Sequence, residues 1–159
     1  MEIIHVVPHI NEEASGPSYS VPRLCQSLAV RGHRVELSCL GISKDIPGVA
    51  VDVHKQWSAL PAFAVSFGHA LSLWRKSSRV TIVHNHSLWS MVNVAAGVVV
   101  PGRGARLVTS PRGTLSDWAL SRSKGRKRVL WPVQRRVLDR ADLLHATSEE
   151  EYSDIRRLG

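Results

Sequence analysis

The chain has 159 residues, 43% of them hydrophobic, which is enough for one domain with its own core and too few for two comfortable ones. Its longest apolar run, Val92 to Pro101, is broken by Asn93 and falls well short of the ~20 residues needed to cross a bilayer, so no span is expected. Lysine and arginine total 21 against 13 acidic residues, a net charge of +8, with the excess concentrated between Arg122 and Arg140.

Strand and helix patterns alternate along the chain, which predicts an α/β fold: a Rossmann-like open parallel sheet with helices on both faces. Ile3 to Val7 reads as the first strand. Glu2 ahead of it and His5 within it do not fit the basic start and long apolar stretch of a secretory signal, so a cytoplasmic location is expected. The loop from Pro8 to Gly16 leads to a helix that Ser18 or Ser20 could cap, with Val21, Leu24, Leu28 and Ala29 inward and an end at Gly32. Arg34 to Leu40 is strand two and Val49 to Val53 strand three. Pro61 to Arg75 carries helical spacing through Phe63, Phe67, Leu71 and Trp74. Arg79 to Val83 is strand four, with His84, Asn85 and His86 just past its end. A helix over Leu88 to Val99 precedes strand five, Arg106 to Thr109. After a short turn of helix near Asp117 come a basic helix to Arg140, strand six at Leu143 to Ala146 and a closing helix from Ser148 to Leu158. Cys25 and Cys39 lack metal-site spacing and read as buried small hydrophobes.

Three loops share the rim where the strands finish, the edge at which open α/β sheets bind ligands. The first places Gly16, Pro17 and Ser18 at a helix start, where free amides suit an anion, although a lone glycine there can also be a simple turn. The second carries His84, Asn85 and His86, with His86 placed to face solvent. The third reads SPRGT, in which Pro111 fixes the backbone, Gly113 permits close approach, and Arg112 is aimed into the cleft beside Thr114. No glycine-rich GxGxxG follows strand one, which speaks against a dinucleotide dehydrogenase.

In order and spacing, IIHVVPHI, GPSYSVPRLCQSLAVRGHRVELSCL, VHNHSLW, SPRGTLSDWAL and ADLLHATSEEE resemble the N-terminal domain of the family 4 glycosyltransferases of GT-B fold. The resemblance covers nearly the whole chain, residues 1–159, and rests most on RGTLSDWAL and HATSEEE. It implies a retaining, metal-independent enzyme that moves a sugar from a nucleotide sugar, used as substrate without a further cofactor, to a saccharide or lipid-linked acceptor in polysaccharide or glycolipid assembly. In that architecture the N-terminal domain holds the acceptor. A C-terminal domain, absent from this chain, holds the nucleotide sugar and carries two glutamates seven residues apart.

By the same resemblance, Gly16, Pro17 and Ser18 match the loop that approaches the donor diphosphate. Arg112 stands where many members have a histidine near the transferred sugar. An arginine stays charged and only donates, which implies electrostatic stabilisation of a diphosphate or an anionic acceptor instead of base catalysis. Asn85, His86, Gly113 and Thr114 would line the acceptor side of the cleft.

The basic stretch interleaves Val129, Leu130, Trp131, Val133, Val137 and Leu138 with Arg126, Lys127, Arg128, Arg135 and Arg136. That pattern fits a segment lying on anionic lipid, peripheral at the inner face of the membrane, and equally a helix packed on the sheet with a solvated basic side. Trp131 alone is thin aromatic support for nucleic-acid binding, which is not expected. The competing class is a Rossmann-like binding module for a nucleotide or an anionic polymer, without chemistry.

Overall fold

A computed structural model describes residues 1–11, 16–41, 45–122 and 124–158, with Arg126 described in its backbone alone. Residues 12–15 of the loop expected from Pro8 to Gly16 lie outside the described residues, as do Gly159 and the Arg126 side chain. Six parallel strands form one sheet: β1 (Glu2–Val6), β2 (Arg34–Leu40), β3 (Ala50–His54), β4 (Ile82–His86), β5 (Arg106–Ser110) and β6 (Leu143–Leu144). Their order is β3-β2-β1-β4-β5-β6. This is the doubly wound arrangement, in which the strand order reverses between β1 and β4 and leaves a crevice at their carboxyl ends. Around the sheet lie α1 (Gly16–Val30), α2 (Phe67–Lys76), α3 (Met91–Val99), α4 (Asp117–Ser121), α5 (Lys124–Asp139) and α6 (Glu149–Arg157).

The alternation of a pleated strand divides the core in two. Val35, Leu37 and Cys39 of β2 face α1 and pack with Val21 and Cys25. Ile4 and Val6 of β1, Val83 of β4 and Leu107 of β5 face the other way, against Leu73 of α2 and Val92 and Ala96 of α3. Helices therefore cover both faces, as the alternating pattern predicts. A third cluster joins Leu88, Trp89 and Leu115 to Leu138, with Leu130, Trp131, Leu144 and Ile155 packed on it. Cys25 and Cys39 are buried free thiols, pushed up by burial to about 12 and about 11.

Several boundaries and faces differ from the sequence expectation. Ser18 and Ser20 do not cap α1, which starts at Gly16 and Pro17; Ser20 Oγ instead donates to the Gly16 carbonyl at 2.9 Å. The helical stretch from Pro61 is split into a single 3₁₀ turn, Pro61–Phe63, and α2, which Ser66 caps by accepting from the His69 amide. Phe67, Leu71 and Trp74 face outward, and α2 buries His69 and Leu73. A helical period fixes spacing but not phase, and here partners outside the core take the aromatics. Trp57 lies against Phe67 at 5.8 Å, and the Arg103 guanidinium sits 4.1 Å above Trp74.

The shift of β4 matters most. It runs from Ile82 to His86, three residues later than the pattern suggested, so His84, Asn85 and His86 belong to the strand itself. The register confirms it: His84 lies opposite His5 of β1 and Val108 of β5, and His86 opposite Ser110.

Candidate functional site

Placing polar residues inside a central strand sorts them by face. Asn85 points with Val83 toward α3, where its carbonyl accepts from the Asn93 side-chain amide at 2.7 Å and its own amide donates to the Asn93 carbonyl at 3.3 Å. It is fully buried, so its expected place on the cleft wall is corrected to a strut between β4 and α3. His84 and His86 point to the opposite face with His5. His86 is fully buried too, which corrects the expectation that it faces solvent.

The partners on this second face set a direction of hydrogen bonding. Arg112 Nη2 lies 3.2 Å from His86 Nδ1, and His86 Nε2 lies 2.9 Å from His5 Nδ1. A guanidinium can only donate, so His86 Nδ1 accepts and its Nε2–H donates onward to His5. His5 then carries its proton on Nε2, which is buried and meets no partner among the described residues. A parallel bridge links His84 Nε2, the Ser110 hydroxyl and His145 Nδ1 at 2.8 Å each.

Burial, with the Arg112 charge beside it, lowers His5 to about 4; burial and the neighbouring His5, His145 and Arg112 lower His84 to about 3; His86 is held well below its ordinary value. All three are neutral at pH 7, and Arg112 is the cation among them.

His5, His84 and His86 also bring one ring nitrogen each within 4.8 Å of one another, a spacing that could hold a metal. Either His86 nitrogen is already engaged, Nδ1 with the Arg112 guanidinium at 3.2 Å and Nε2 with His5 at 2.9 Å, so ligation would break one of these bonds and place the ion near a fixed positive charge. The donor set fits the hydrogen-bonded chain better than a cation.

Arg112 does not project freely into the cleft. It is half-buried, folded back over the histidines with Nη1 3.4 Å from Ser20 Oγ on α1, and its backbone is left-handed at φ 58°. Gly113 follows at φ 72°, and a Cβ built there would meet nothing within 4 Å. Gly113 is therefore present for its backbone angle, not for the clearance expected of it. Thr114 closes the turn, its hydroxyl donating to the Pro111 carbonyl at 2.6 Å.

A residue that sequence reasoning missed holds this turn. Glu151 of α6 is buried; Oε1 accepts the Gly113 amide at 2.8 Å, and Oε2 accepts the Thr147 amide and hydroxyl at 2.7 Å each. Burial alone would raise this carboxyl, but the Thr147 hydroxyl and the amides of Thr147, Gly113 and Arg112 hold it below the usual carboxylate range. The available signal was Ser148-x-x-Glu151, the spacing of a capping box, in which Ser148 does accept the Glu151 amide while the glutamate reaches elsewhere.

Beside the turn lies a cavity of about 390 Å³ at the point where the strand order reverses. Val7, Pro8 and His9 after β1, Pro17 of α1, and Ser87 to Ser90 after β4 form most of its wall. Of the predicted anion loop, Pro17 reaches this cavity. Gly16 is exposed, and Ser18 is buried with its hydroxyl directed to the His9 carbonyl at 3.5 Å.

Backbone strain concentrates here. Among the described residues, the non-glycine residues with left-handed φ are Ala64 (51°), Ser87 (73°), Trp89 (71°) and Arg112 (58°), and the first three line this cavity. Such angles cost about 1–3 kcal/mol each and cluster at ligand sites.

A doubly wound parallel sheet with a strained crevice at its switch point defines a Rossmann-like domain. The model of the glycosyl transferase 4-like domain matches residues 15–159, and the chain belongs to that family. No curated protein matches the sequence. The membership makes this a glycosyltransferase-type domain.

Proposed function

We propose that the chain is the acceptor-side domain of a retaining, metal-independent glycosyltransferase. It works with a companion domain that holds the nucleotide sugar, and it serves a saccharide or lipid-linked acceptor of surface polysaccharide or glycolipid assembly. The observation that carries this reading is the gathering of three left-handed residues, Ala64, Ser87 and Trp89, around the crevice, with a fourth, Arg112, in the loop after the adjacent strand β5. The acceptor's reacting end occupies the cavity between β1 and β4. Arg112, a permanent charge held against neutral imidazoles, stabilises the departing diphosphate or an anionic group of the acceptor, the service a metal ion would otherwise supply. Gly16 and Pro17 face the diphosphate from the α1 side.

Membrane proximity belongs to the same proposal. No helix among the described residues is long and apolar enough to cross a membrane. The outward side of α5 presents Arg128, Val129, Val133 and Arg136, continued by Arg140, and Trp118 of α4 is 69% exposed nearby in sequence. Such a surface suits anionic lipid.

Calorimetry tests the division of labour. The 159 residues alone are expected to bind nucleotide sugars no more tightly than millimolar; micromolar binding would show that the donor site is here and overturn the two-domain reading. In the enzyme with its companion domain, Arg112→Ala should cost roughly a hundredfold in turnover.

A further inference from the structure

A second cavity, of about 530 Å³, opens between α4 and α5, apart from the histidine chain and sharing Trp89 alone with the strained crevice. Its wall is apolar: Trp89, Leu120 and Trp131, with the two indoles stacked at a centroid distance of 5.9 Å and an interplanar angle of 29°. Its margin is cationic: Lys124, Lys127 and Arg128. Asp117 also borders it, but Arg157 reaches that carboxylate at 3.0 Å, which offsets the one acidic charge at the mouth. We propose that this cavity takes the hydrocarbon chain of a single-chain lipid phosphate, with the phosphate held at the Lys124, Lys127 and Arg128 margin.

The wall favours a hydrocarbon over a saccharide. Buried sugar hydroxyls need hydrogen-bonding partners, and the polar atoms of Trp89 are already committed. Its indole N–H donates to the Thr114 carbonyl at 3.2 Å, and its backbone amide donates to Gln134 Oε1 at 3.0 Å. Lys127 runs along the same wall, its ammonium 5.4 Å from the Trp89 ring centroid and donating to the Ala119 carbonyl. The Lys127 charge thus lies over the indole face, and Lys124 and Arg128, both on exposed positions, carry the outer margin. An apolar slot with cations at its mouth is complementary to a long chain ending in an anion.

Trp89 also gives the site its connection to the crevice, because it lines both cavities. A ligand held by its chain and phosphate on one side of Trp89 can extend the group that the phosphate carries past the indole, toward β1 and β4. The inference therefore deepens the transferase reading and rests on it for its biological meaning: the chain would be the anchor of a lipid-linked acceptor. Binding itself involves no transfer, so each reading can fail without the other.

The test uses the intrinsic fluorescence of the 159-residue chain, titrated with octyl, decyl and dodecyl phosphate below their micelle concentrations. Inorganic phosphate and dodecanol serve as the separate halves of the ligand. Each buried methylene multiplies affinity about fourfold, so dodecyl phosphate, four methylenes longer, should bind roughly 250-fold more tightly than octyl phosphate. Inorganic phosphate should compete poorly and dodecanol should bind at least tenfold more weakly. The pair Lys124→Glu and Arg128→Glu, both on exposed positions, should remove the preference for the phosphate and keep the dependence on chain length. Ser121→Phe, placed at the exposed edge of the cavity, should block the long chains while circular dichroism stays unchanged. Affinity independent of chain length, or equal binding of dodecanol and dodecyl phosphate, would overturn the proposal.

Discussion

At the scale of single residues, Arg112 is both a charge and a structural donor. Arg112→Ala leaves the buried His86 Nδ1 without its hydrogen bond, so it should cost about 1–3 kcal/mol of stability, more than a free surface side chain would. Urea unfolding checks this, and an unchanged midpoint would mean that the guanidinium is dispensable to the fold. The imidazoles give a second expectation. His5 and His69 are lowered to about 4 and His84 to about 3, chiefly by burial, so the unfolded chain binds more protons than the fold between those values and about 6.5. Stability is therefore flat above pH 7 and falls as pH drops from about 6.5 toward 4, each histidine adding a slope of up to ~1.4 kcal/mol per pH unit. Unfolding midpoints at pH 7, 6 and 5 would reveal the trend. Among the described residues His69 has no hydrogen-bond partner for either ring nitrogen, so His69→Leu should hold or raise stability at pH 7 and make the pH dependence shallower. Arg112 was legible in the sequence because proline and glycine bracket it. Glu151 was not, because its work is done on Gly113, 38 positions away.

At the scale of elements, the closest packing joins α3 to α5. A Cβ added to Gly97 would stand 2.3 Å from Val137 Cγ1, too near for any rotamer adjustment of the glycine's own side to relieve. Gly97→Ala should therefore destabilise by about 1–3 kcal/mol, and adding Val137→Ala should cost less than the sum of the two single changes. Simple additivity would mean that the helices slide apart freely. The same packing decides the basic helix. Leu130, Trp131 and Leu138 belong to the third core cluster and Val137 is buried on the α3 side, so four of the six apolar residues, left open between lipid and the sheet by the sequence, are turned inward. Val129, at 78% exposure, and Val133 remain outward. Replacing Arg136 and Arg140 by serine should weaken sedimentation with anionic vesicles by about 1 kcal/mol per residue at low salt and change nothing with neutral ones. Equal partitioning of the parent chain to both vesicle types would leave only a solvated basic face. Hydrophobic period revealed the helices here, but their phase depends on which neighbour arrives, as α2 shows with its exposed Phe67 and Trp74.

At the scale of the whole molecule, the alternating pattern was enough to foresee the parallel sheet, because a period of two and a period of 3.6 are both written locally. The crevice was harder to see: its wall is assembled from residues after β1 and β4, and its strain is visible only in backbone angles. The join between those two strands has a kinetic consequence. Ile3 pairs with Ile82 and Val6 with Asn85, across nearly eighty positions of chain, whereas β1 reaches β2 and β4 reaches β5 through far shorter intervals. Closing the longest loop costs the most chain entropy, so the β1–β4 seam should form last, after β1 to β3 and β4 to β6 have gathered separately. In stopped-flow refolding, Val83→Ala in β4 should then speed unfolding more than it slows folding, whereas Leu37→Ala inside the first half should do the reverse. The crevice itself would come into being only at that final step, as the meeting line of two independently assembled halves.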